Sequence, residues 1–145
     1  LTVIGDGADR ARLERHAREA GLNGRVRFVG SLPREEVLAA LAGAEAAVLS
    51  SDWENFPHAA VEALAAGTPL VATSVGGVAE IVSDGVNGLL VPAGSPEAFG
   101  HALQQLLDSP ELRARLSDGA RASVAELDAD RVYGQIEQLL AAACR

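Results

Sequence analysis

Several residue types are scarce or missing from this 145-residue chain, and each absence excludes a kind of chemistry. All 12 basic residues are arginine, so a lysine Schiff base and the lysine of a phosphate-binding P-loop are excluded. The single cysteine, Cys144, leaves no disulfide framework and no zinc site built from cysteines. Methionine is absent and the sequence opens directly in an apolar stretch, so we expect a domain excised from a longer protein.

Aromatic residues, long apolar runs and positive charge are also in short supply. Aromatic residues make up 3% of the chain and hydrophobic residues 48%, so Ala, Val and Leu must build the core. No apolar run reaches the ~20 residues that a membrane-spanning helix requires. The net charge of −8 argues against a nucleic-acid partner, because phosphate binding requires clustered positive charge. The lone cysteine suits a reducing compartment, and we expect a cytoplasmic protein.

Short apolar segments alternate with helical patterns along most of the chain. Apolar strands of four to five residues between amphipathic helices indicate βα units, whose strands are buried in a parallel sheet. The sequence therefore predicts a single α/β domain over residues 1–145, a Rossmann-like doubly wound parallel sheet with helices on both faces. Strands are predicted at residues 1–5, 26–30, 46–50, 70–73 and 89–92. The first helix is predicted to end at Gly21, and the second to begin at a Ser31 cap with Pro33 in its first turn. Further helices are predicted at residues 57–66, 78–82, 96–108, 110–118 and about 130–143.

Glycine and polar residues collect where the predicted strands end. In a doubly wound sheet, ligands bind outside the carboxyl ends of the strands. We therefore expect a binding site along that edge of the sheet. Its segments are Gly5-Asp6-Gly7, Gly30-Ser31, residues 50–56 and residues 74–77.

Two glutamates bracket the helix start that follows the third strand. Pro57 suits the first helical position and disfavours helix before it. Glu54 is therefore expected in the loop, and Glu62 inside the helix. The free N–H groups of such a helix start favour phosphate or electronegative sugar oxygens, and a carboxylate accepts hydrogen bonds from two vicinal hydroxyls. One glutamate could hold a ribose and the other a pyranose; a helix cap at Glu54 and a solvated Glu62 explain the same spacing.

Other features have both a functional and a structural interpretation. Gly5-Asp6-Gly7 could begin a dinucleotide fingerprint, but Arg10 stands at the third glycine, so a plain strand-to-helix turn is the better explanation. Trp53 could wall a sugar pocket or pack on the sheet edge, and His58 could contact a ligand or be solvated. The arginines of the first helix could face a membrane, whereas charge pairs on a solvated face explain them more simply.

The two glutamates also carry a resemblance to a known family. Glu54 and Glu62, with Asn-Phe-Pro between them and residues 63–73 after them, resemble the E-x7-E signature of retaining GT-B glycosyltransferases of group 1. The resemblance covers nearly the whole chain, in family order and spacing, and implies the C-terminal, donor-binding half of a GT-B fold, truncated at its N-terminal edge. It extends to residues 3–7, 26–30, 76–82 and 84–92.

The resemblance implies a role for each residue of the predicted site. Glu54 would contact the hydroxyls of the donor sugar as the catalytic residue, and Glu62 would hold the ribose hydroxyls. The reaction would retain the anomeric configuration, with a nucleotide-diphosphate sugar as co-substrate and neither metal nor other cofactor. The other implied donor contacts are Asn55, Phe56, Pro57 and His58 at the sugar and diphosphate, Val29, Gly30 and Ser31 at the nucleobase, and Gly5.

The sequence also departs from the family pattern. Asn55 stands where the family usually has glycine, and the Arg and Lys that neutralise the leaving diphosphate would precede this chain. The acceptor, whether a sugar, a lipid or a small molecule, would be held by a missing N-terminal domain, with peripheral contact at the inner face of the membrane. Because leaving-group stabilisation requires preorganised positive charge, we predict that this chain alone does not turn over. The alternatives are a non-catalytic sugar-nucleotide-binding module and a related GT-B epimerase or phosphorylase.

Overall fold

The computed structural model describes residues 1–125 and 129–143 and has a Rossmann-like α/β fold, as the sequence predicts. Its internal contacts divide the chain into two compact units, unit 1 (Leu1–Ala40) and unit 2 (Leu41–Arg145). The strands are β1 (Thr2–Ile4), β2 (Arg27–Gly30), β3 (Ala47–Leu49), β4 (Leu70–Thr73) and β5 (Gly88–Val91); the helices are α1 (Arg10–Glu19), α2 (Arg34–Ala42), α3 (His58–Ala65), α4 (Val78–Ile81), α5 (Pro96–Asp108), α6 (Pro110–Val124) and α7 (Ala129–Ala143).

Unit 1 pairs β1 with β2 in parallel, Thr2 opposite Arg27. Helix α1 connects the two strands and ends where expected, since Gly21 follows it with φ of +69°, a conformation in which glycine commonly stops a helix. Asp9 takes the N-cap position but its carboxylate does not cap the helix. It accepts hydrogen bonds from the Arg12 guanidinium at 2.9 and 3.0 Å, and this interaction lowers the pKa of Asp9.

Unit 2 contains a parallel sheet in the order β3-β4-β5, and every residue of β4 is buried. Successive side chains of a strand point to opposite faces, and β4 follows this rule. Leu70 and Ala72 pack with residues of α3, α4 and α6, whereas Val71 packs with residues of α5 and α6. The helices of unit 2 therefore cover both faces of its sheet.

The glycine-containing turns that lead from α4 into β5, at residues 84–85 and 87–88, are built around a buried asparagine. Asn87 is fully buried; its amide nitrogen donates to the Ile81 carbonyl at 3.0 Å, and its oxygen accepts from the Ser83 N–H at 2.8 Å. The Asp84 carboxylate accepts from the Leu90 N–H at 2.9 Å. These bonds satisfy backbone groups that the turns would otherwise leave unpaired.

The predicted start of α2 and the predicted end of α6 are wrong. Ser31 does not cap α2, because the helix begins at Arg34 and the carbonyl oxygen of Pro33 accepts the N–H groups of the first turn at 3.0 and 3.1 Å. Pro33 thus precedes the helix, and a proline disfavours helical backbone at the residue before it. Helix α6 continues to Val124, beyond the predicted end at residue 118, because its buried face continues through Ala120.

Candidate functional site

The loop after β3 holds the carboxylate of Glu54 in place. The Ser51 hydroxyl donates a hydrogen bond of 2.7 Å to Oε1 of Glu54, which is half-buried. The Ser51 carbonyl accepts in turn from the hydroxyl of Thr73, the buried last residue of β4, at 2.5 Å. The Glu54 side chain is thereby connected to the carboxyl end of the central strand. This is the edge of the sheet at which the sequence predicts a site.

The double glycine after β4 fits against the backbone of the same loop. The Gly77 N–H donates to the carbonyl oxygen of Glu54 at 3.3 Å. A Cβ atom on Gly76 would overlap the Glu54 carbonyl oxygen, and one on Gly77 would overlap that of Asn55. Gly76 also has φ of +46°, which side chains rarely adopt. The sequence predicts these glycines at the binding edge of the sheet, and the structure shows that they also let two loops approach closely.

The start of α3 differs from the prediction at Pro57. Pro57 is the N-cap residue with an extended ψ of 97°, and the helix begins at His58 rather than at the proline. The Pro57 carbonyl accepts from the N–H of Ala60 at 3.0 Å, so this group is not among the free N–H groups that the sequence predicts at the helix start. The N–H groups of His58 and Ala59 have no acceptor among the described residues. A helix start with open N–H groups favours an anion or an electronegative oxygen.

The second glutamate lies on the same helix, one turn further along. Glu62 is half-buried and about 6 Å of helical rise from the first helical residue, His58. Glu54 does not cap α3, because its carboxylate accepts from Ser51 and the N-cap position belongs to Pro57. The structural explanation of a capping Glu54 is therefore wrong.

Three aromatic rings stand on the loop and helix start around Glu54. Trp53 is 75% exposed and Phe56 is 47% exposed, so Trp53 does not pack on the sheet edge. Phe56 and His58 meet edge to face, with ring centroids 5.9 Å apart and planes inclined by 75°. His58 is exposed, as its structural interpretation expects.

The remaining predicted residues lie in unit 1, where the ends of β1 and β2 meet. The Gly5 N–H donates to the Gly30 carbonyl at 2.8 Å, and both glycines have positive φ, +120° and +74°. Arg10 donates to the carbonyl of Phe28 at 3.1 Å, and its guanidinium lies against the α-carbon of Gly30, 3.1 Å from where a Cβ would stand. Val29 and Ser31 are exposed beside the buried Gly30. Gly5, Val29, Gly30 and Ser31 thus form one group in unit 1, and Glu54 to His58 with Glu62 form another in unit 2.

A shallow cavity of about 260 Å³ in unit 1 is lined by Glu14, Arg18, Asn23 and Phe28, among others, and by none of the predicted site residues. Within residues 1–125 and 129–143, no three potential His, Cys, Asp or Glu ligands form a metal-binding group. No helix in this part of the chain is long and apolar enough to cross a membrane.

Comparison with known proteins shows the family. Residues 1–123 match the family model described as glycosyl transferases group 1. The chain is 34% identical over 142 residues to the lipopolysaccharide core biosynthesis glycosyltransferase LpsE of Rhizobium meliloti, covering 97% of this chain and 41% of that protein. The chain therefore belongs to the glycosyl transferases group 1 family, and the family that the sequence resembles is confirmed.

Solved structures agree with the fold. The sucrose-phosphate synthase of Thermosynechococcus elongatus superposes with a TM-score of 0.88 at 33% identity, covering 99% of this chain and 39% of that one. Anabaena HepE in complex with UDP-glucose superposes with a TM-score of 0.87 at 26% identity, covering 97% of this chain and 40% of that one. The architecture is that of the GT-B glycosyltransferases. The chain spans about two fifths of the length of LpsE and of these two solved chains.

Proposed function

We propose that this chain is the donor-binding domain of a retaining glycosyltransferase. It would bind a nucleotide-diphosphate sugar, whose hexosyl group is transferred to an acceptor held by an N-terminal domain outside these 145 residues. The observation that carries the proposal is the Glu54 carboxylate, fixed at the end of β3 next to the open start of α3. The family membership supports the same assignment.

Each glutamate has a distinct role in this proposal. Glu54 accepts hydrogen bonds from hydroxyls of the donor sugar, and Glu62, one turn into α3, holds the two ribose hydroxyls. The N–H groups of His58 and Ala59 face the diphosphate or sugar oxygens, for which the helix start has the favourable polarity. The other donor contacts we propose are the backbone of Asn55, Phe56 and Pro57 at the sugar and diphosphate, and Gly5, Val29, Gly30 and Ser31 at the nucleotide.

Departure of the diphosphate requires positive charge that we place outside this chain. A leaving diphosphate is stabilised by preorganised cations, and the loop and helix around Glu54 contain no Arg or Lys between residues 50 and 66. The 145-residue chain is therefore expected to bind a donor weakly without transferring or hydrolysing it. We place the whole enzyme in the cytoplasm, in peripheral contact with the inner face of the membrane if its acceptor is a lipid.

Titration of the isotope-labelled chain with donors, monitored through its backbone amide NMR signals, tests the binding role. UDP-glucose is the first donor to use, because HepE was solved with it, and GDP- and ADP-glucose follow. Glu62→Gln should weaken the binding of UDP and of UDP-glucose alike by about tenfold, because the ribose hydroxyls lose a charged hydrogen-bond acceptor. Glu54→Gln should weaken UDP-glucose by a similar factor and leave UDP unchanged.

The matched control is Glu97→Gln, an exposed glutamate in the first turn of α5. It should change neither affinity. If none of the three donors shifts any amide signal at millimolar concentration, the donor-binding proposal is rejected. If both ligands lose affinity equally in Glu54→Gln, the assignment of Glu54 to the sugar is wrong.

Retention is tested in the whole enzyme that we propose encloses this chain. The product formed from an α-linked donor should be an α-glycoside, read from the anomeric proton coupling in its NMR spectrum. A β-linked product would contradict the retaining mechanism. Release of an epimerised free sugar, or phosphorolysis in place of transfer, would instead identify an epimerase or a phosphorylase.

A further inference from the structure

The Glu54 side chain uses only one of its two carboxylate oxygens within the described structure. Oε1 accepts the Ser51 hydroxyl at 2.7 Å, whereas Oε2 has no partner among the described residues. A hydroxyl has a single proton to donate, and that of Ser51 is committed to Oε1. An O–H to carboxylate hydrogen bond is short and about twice as strong as a neutral one, so it holds the carboxylate in one orientation.

The residue that provides this hydrogen bond is itself fixed from the central strand. Thr73 is 5% exposed, and its single hydroxyl proton is donated to the Ser51 carbonyl at 2.5 Å, with the Leu49 carbonyl a second, weaker acceptor at 3.4 Å. The Glu54 carbonyl is held separately by the Gly77 N–H at 3.3 Å. Both the main chain and the side chain of Glu54 are therefore fixed from the end of β4 and its following turn.

We propose that Ser51 is a positioning residue that orients Glu54 for the donor sugar. Its hydroxyl holds Oε1 and leaves Oε2 for a sugar hydroxyl, so Ser51 acts on sugar recognition without touching the ligand. The inference rests on the proposed role of Glu54. Without the hydroxyl, the glutamate side chain regains rotamers that must be frozen again when the sugar binds, which lowers affinity for the sugar part of the donor alone.

Ser51→Ala tests this role when it is measured with UDP and with UDP-glucose. The affinity of the chain for UDP-glucose should fall about fivefold, and the affinity for UDP should not change. Ser51→Thr retains a hydroxyl and should stay within about twofold of the wild type for both ligands. Ser83, which is exposed and whose hydroxyl makes no hydrogen bond in the described structure, provides the matched control: Ser83→Ala should leave both affinities unchanged.

A merely structural role for Ser51 predicts a different result. If Ser51→Ala weakened UDP and UDP-glucose by the same factor, or if Ser51→Thr failed to restore sugar affinity, the positioning role would be overturned. The double variant Ser51→Ala with Glu54→Gln should bind UDP-glucose no more weakly than Glu54→Gln alone, because Ser51 acts through Glu54. Additive losses in the double variant would also overturn the inference.

The same measurements separate this inference from the proposed function. If Glu54→Gln selectively weakens UDP-glucose and Ser51→Ala does not, the function stands and only the positioning role fails. If Glu54→Gln changes neither affinity, the role of Glu54 fails and the inference fails with it. Ser51→Cys replaces the hydroxyl with a slightly larger group that is a weak S–H donor, and it should fall between the wild type and Ser51→Ala, which provides a second variant if the alanine protein folds poorly.

Discussion

Units 1 and 2 are built from the same alternation of strands and helices, yet they differ sharply in what they bury. Every buried hydrophobic side chain among the described residues lies between Ala60 and Ala120, in unit 2. In unit 1, the only buried residue is Gly30, and neither α1 nor α2 has a buried residue. Helix α1 instead carries ion pairs of Arg10 with Asp6 and Glu14 at 3.3 and 2.9 Å.

The difference shows that one fold pattern can be stabilised in two ways. Burial of apolar side chains contributes roughly 1.5–3 kcal/mol for each large residue that is fully buried. Ion pairs at the protein surface contribute a median of about 0–1 kcal/mol. We therefore expect matched substitutions to destabilise unit 2 far more than unit 1, and the glutamate loop lies in the better-packed unit.

The largest difference is expected for leucine in the two units. Leu64 on α3 is fully buried, and Leu13 on α1 is 40% exposed. Leu64→Ala should lower the free energy of unfolding by about 2–5 kcal/mol, because it removes buried methyl groups and leaves a cavity. Leu13→Ala should lower it by less than about 1 kcal/mol. Urea denaturation of both variants measures the contrast, and equal losses of unfolding free energy would contradict the difference in packing between the two units.

Asparagine gives the next contrast. Asn87 is fully buried and bonded to the backbone of Ile81 and Ser83, whereas Asn23 is exposed. Asn87→Ala should destabilise by about 2–3 kcal/mol, since the part-buried N–H of Ser83 and the buried carbonyl of Ile81 lose their partner. Asn23→Ala should lie within about 0.5 kcal/mol of the wild type. A small effect at Asn87 in denaturation curves would show that water replaces its side chain.

Two glycines distinguish the effect of close packing on stability from the effect of backbone conformation. A Cβ on Gly77 would overlap the Asn55 carbonyl, and nothing lies within 4 Å of one on Gly7. Neither glycine has positive φ, so both backbones accept alanine. Gly77→Ala should destabilise by about 1–3 kcal/mol through overpacking and should shift the amide signals of residues 54–56. Gly7→Ala should be neutral or slightly stabilising. Unshifted loop signals in Gly77→Ala would show that the two loops do not depend on each other.

The smallest effect concerns the exposed ion pair of α1. The hydrogen bond and charge of Arg12 lower the pKa of Asp9 below its ordinary value. A lowered carboxylate pKa contributes stability that is complete above the unfolded pKa of about 3.9 and is lost as pH falls through the folded pKa. Arg12→Gln should return the Asp9 pKa towards the ordinary value, as measured by carboxyl NMR titration, and the control Arg15→Gln should leave it lowered. An unchanged Asp9 pKa in Arg12→Gln would show that the pair does not form in solution.

Much of the fold could be predicted from the sequence because the local signals agree. Apolar runs of strand length, the glycine at the end of α1 and the prolines that begin α5 and α6 each constrain the backbone independently of distant residues. The start of α3 was predicted one residue early, because a proline is acceptable both as N-cap and as first helical residue. The local preference of proline therefore does not distinguish the N-cap position from the first helical position.

The candidate site was only partly predictable. The sequence singled out Glu54 and Glu62 by their spacing around the helix start, but it did not reveal Ser51 and Thr73 as the residues that hold Glu54. A serine three positions before a glutamate is a common local pattern, and Thr73 lies 22 positions from Ser51. Contacts between distant strand ends depend on strand order and register, which periodicity does not specify.

The sequence by itself determined the α/β class, the position of the strand ends and the family, because these depend on local periodicity and on motifs at fixed spacing. Only the tertiary structure decided that burial is concentrated in unit 2 and that the Gly76-Gly77 turn lies against the loop of Glu54. The physical reason is that burial and close approach are properties of pairs of segments. They are fixed when β3 and β4 pair in register, Leu49 beside Ala72, and bring their following loops together.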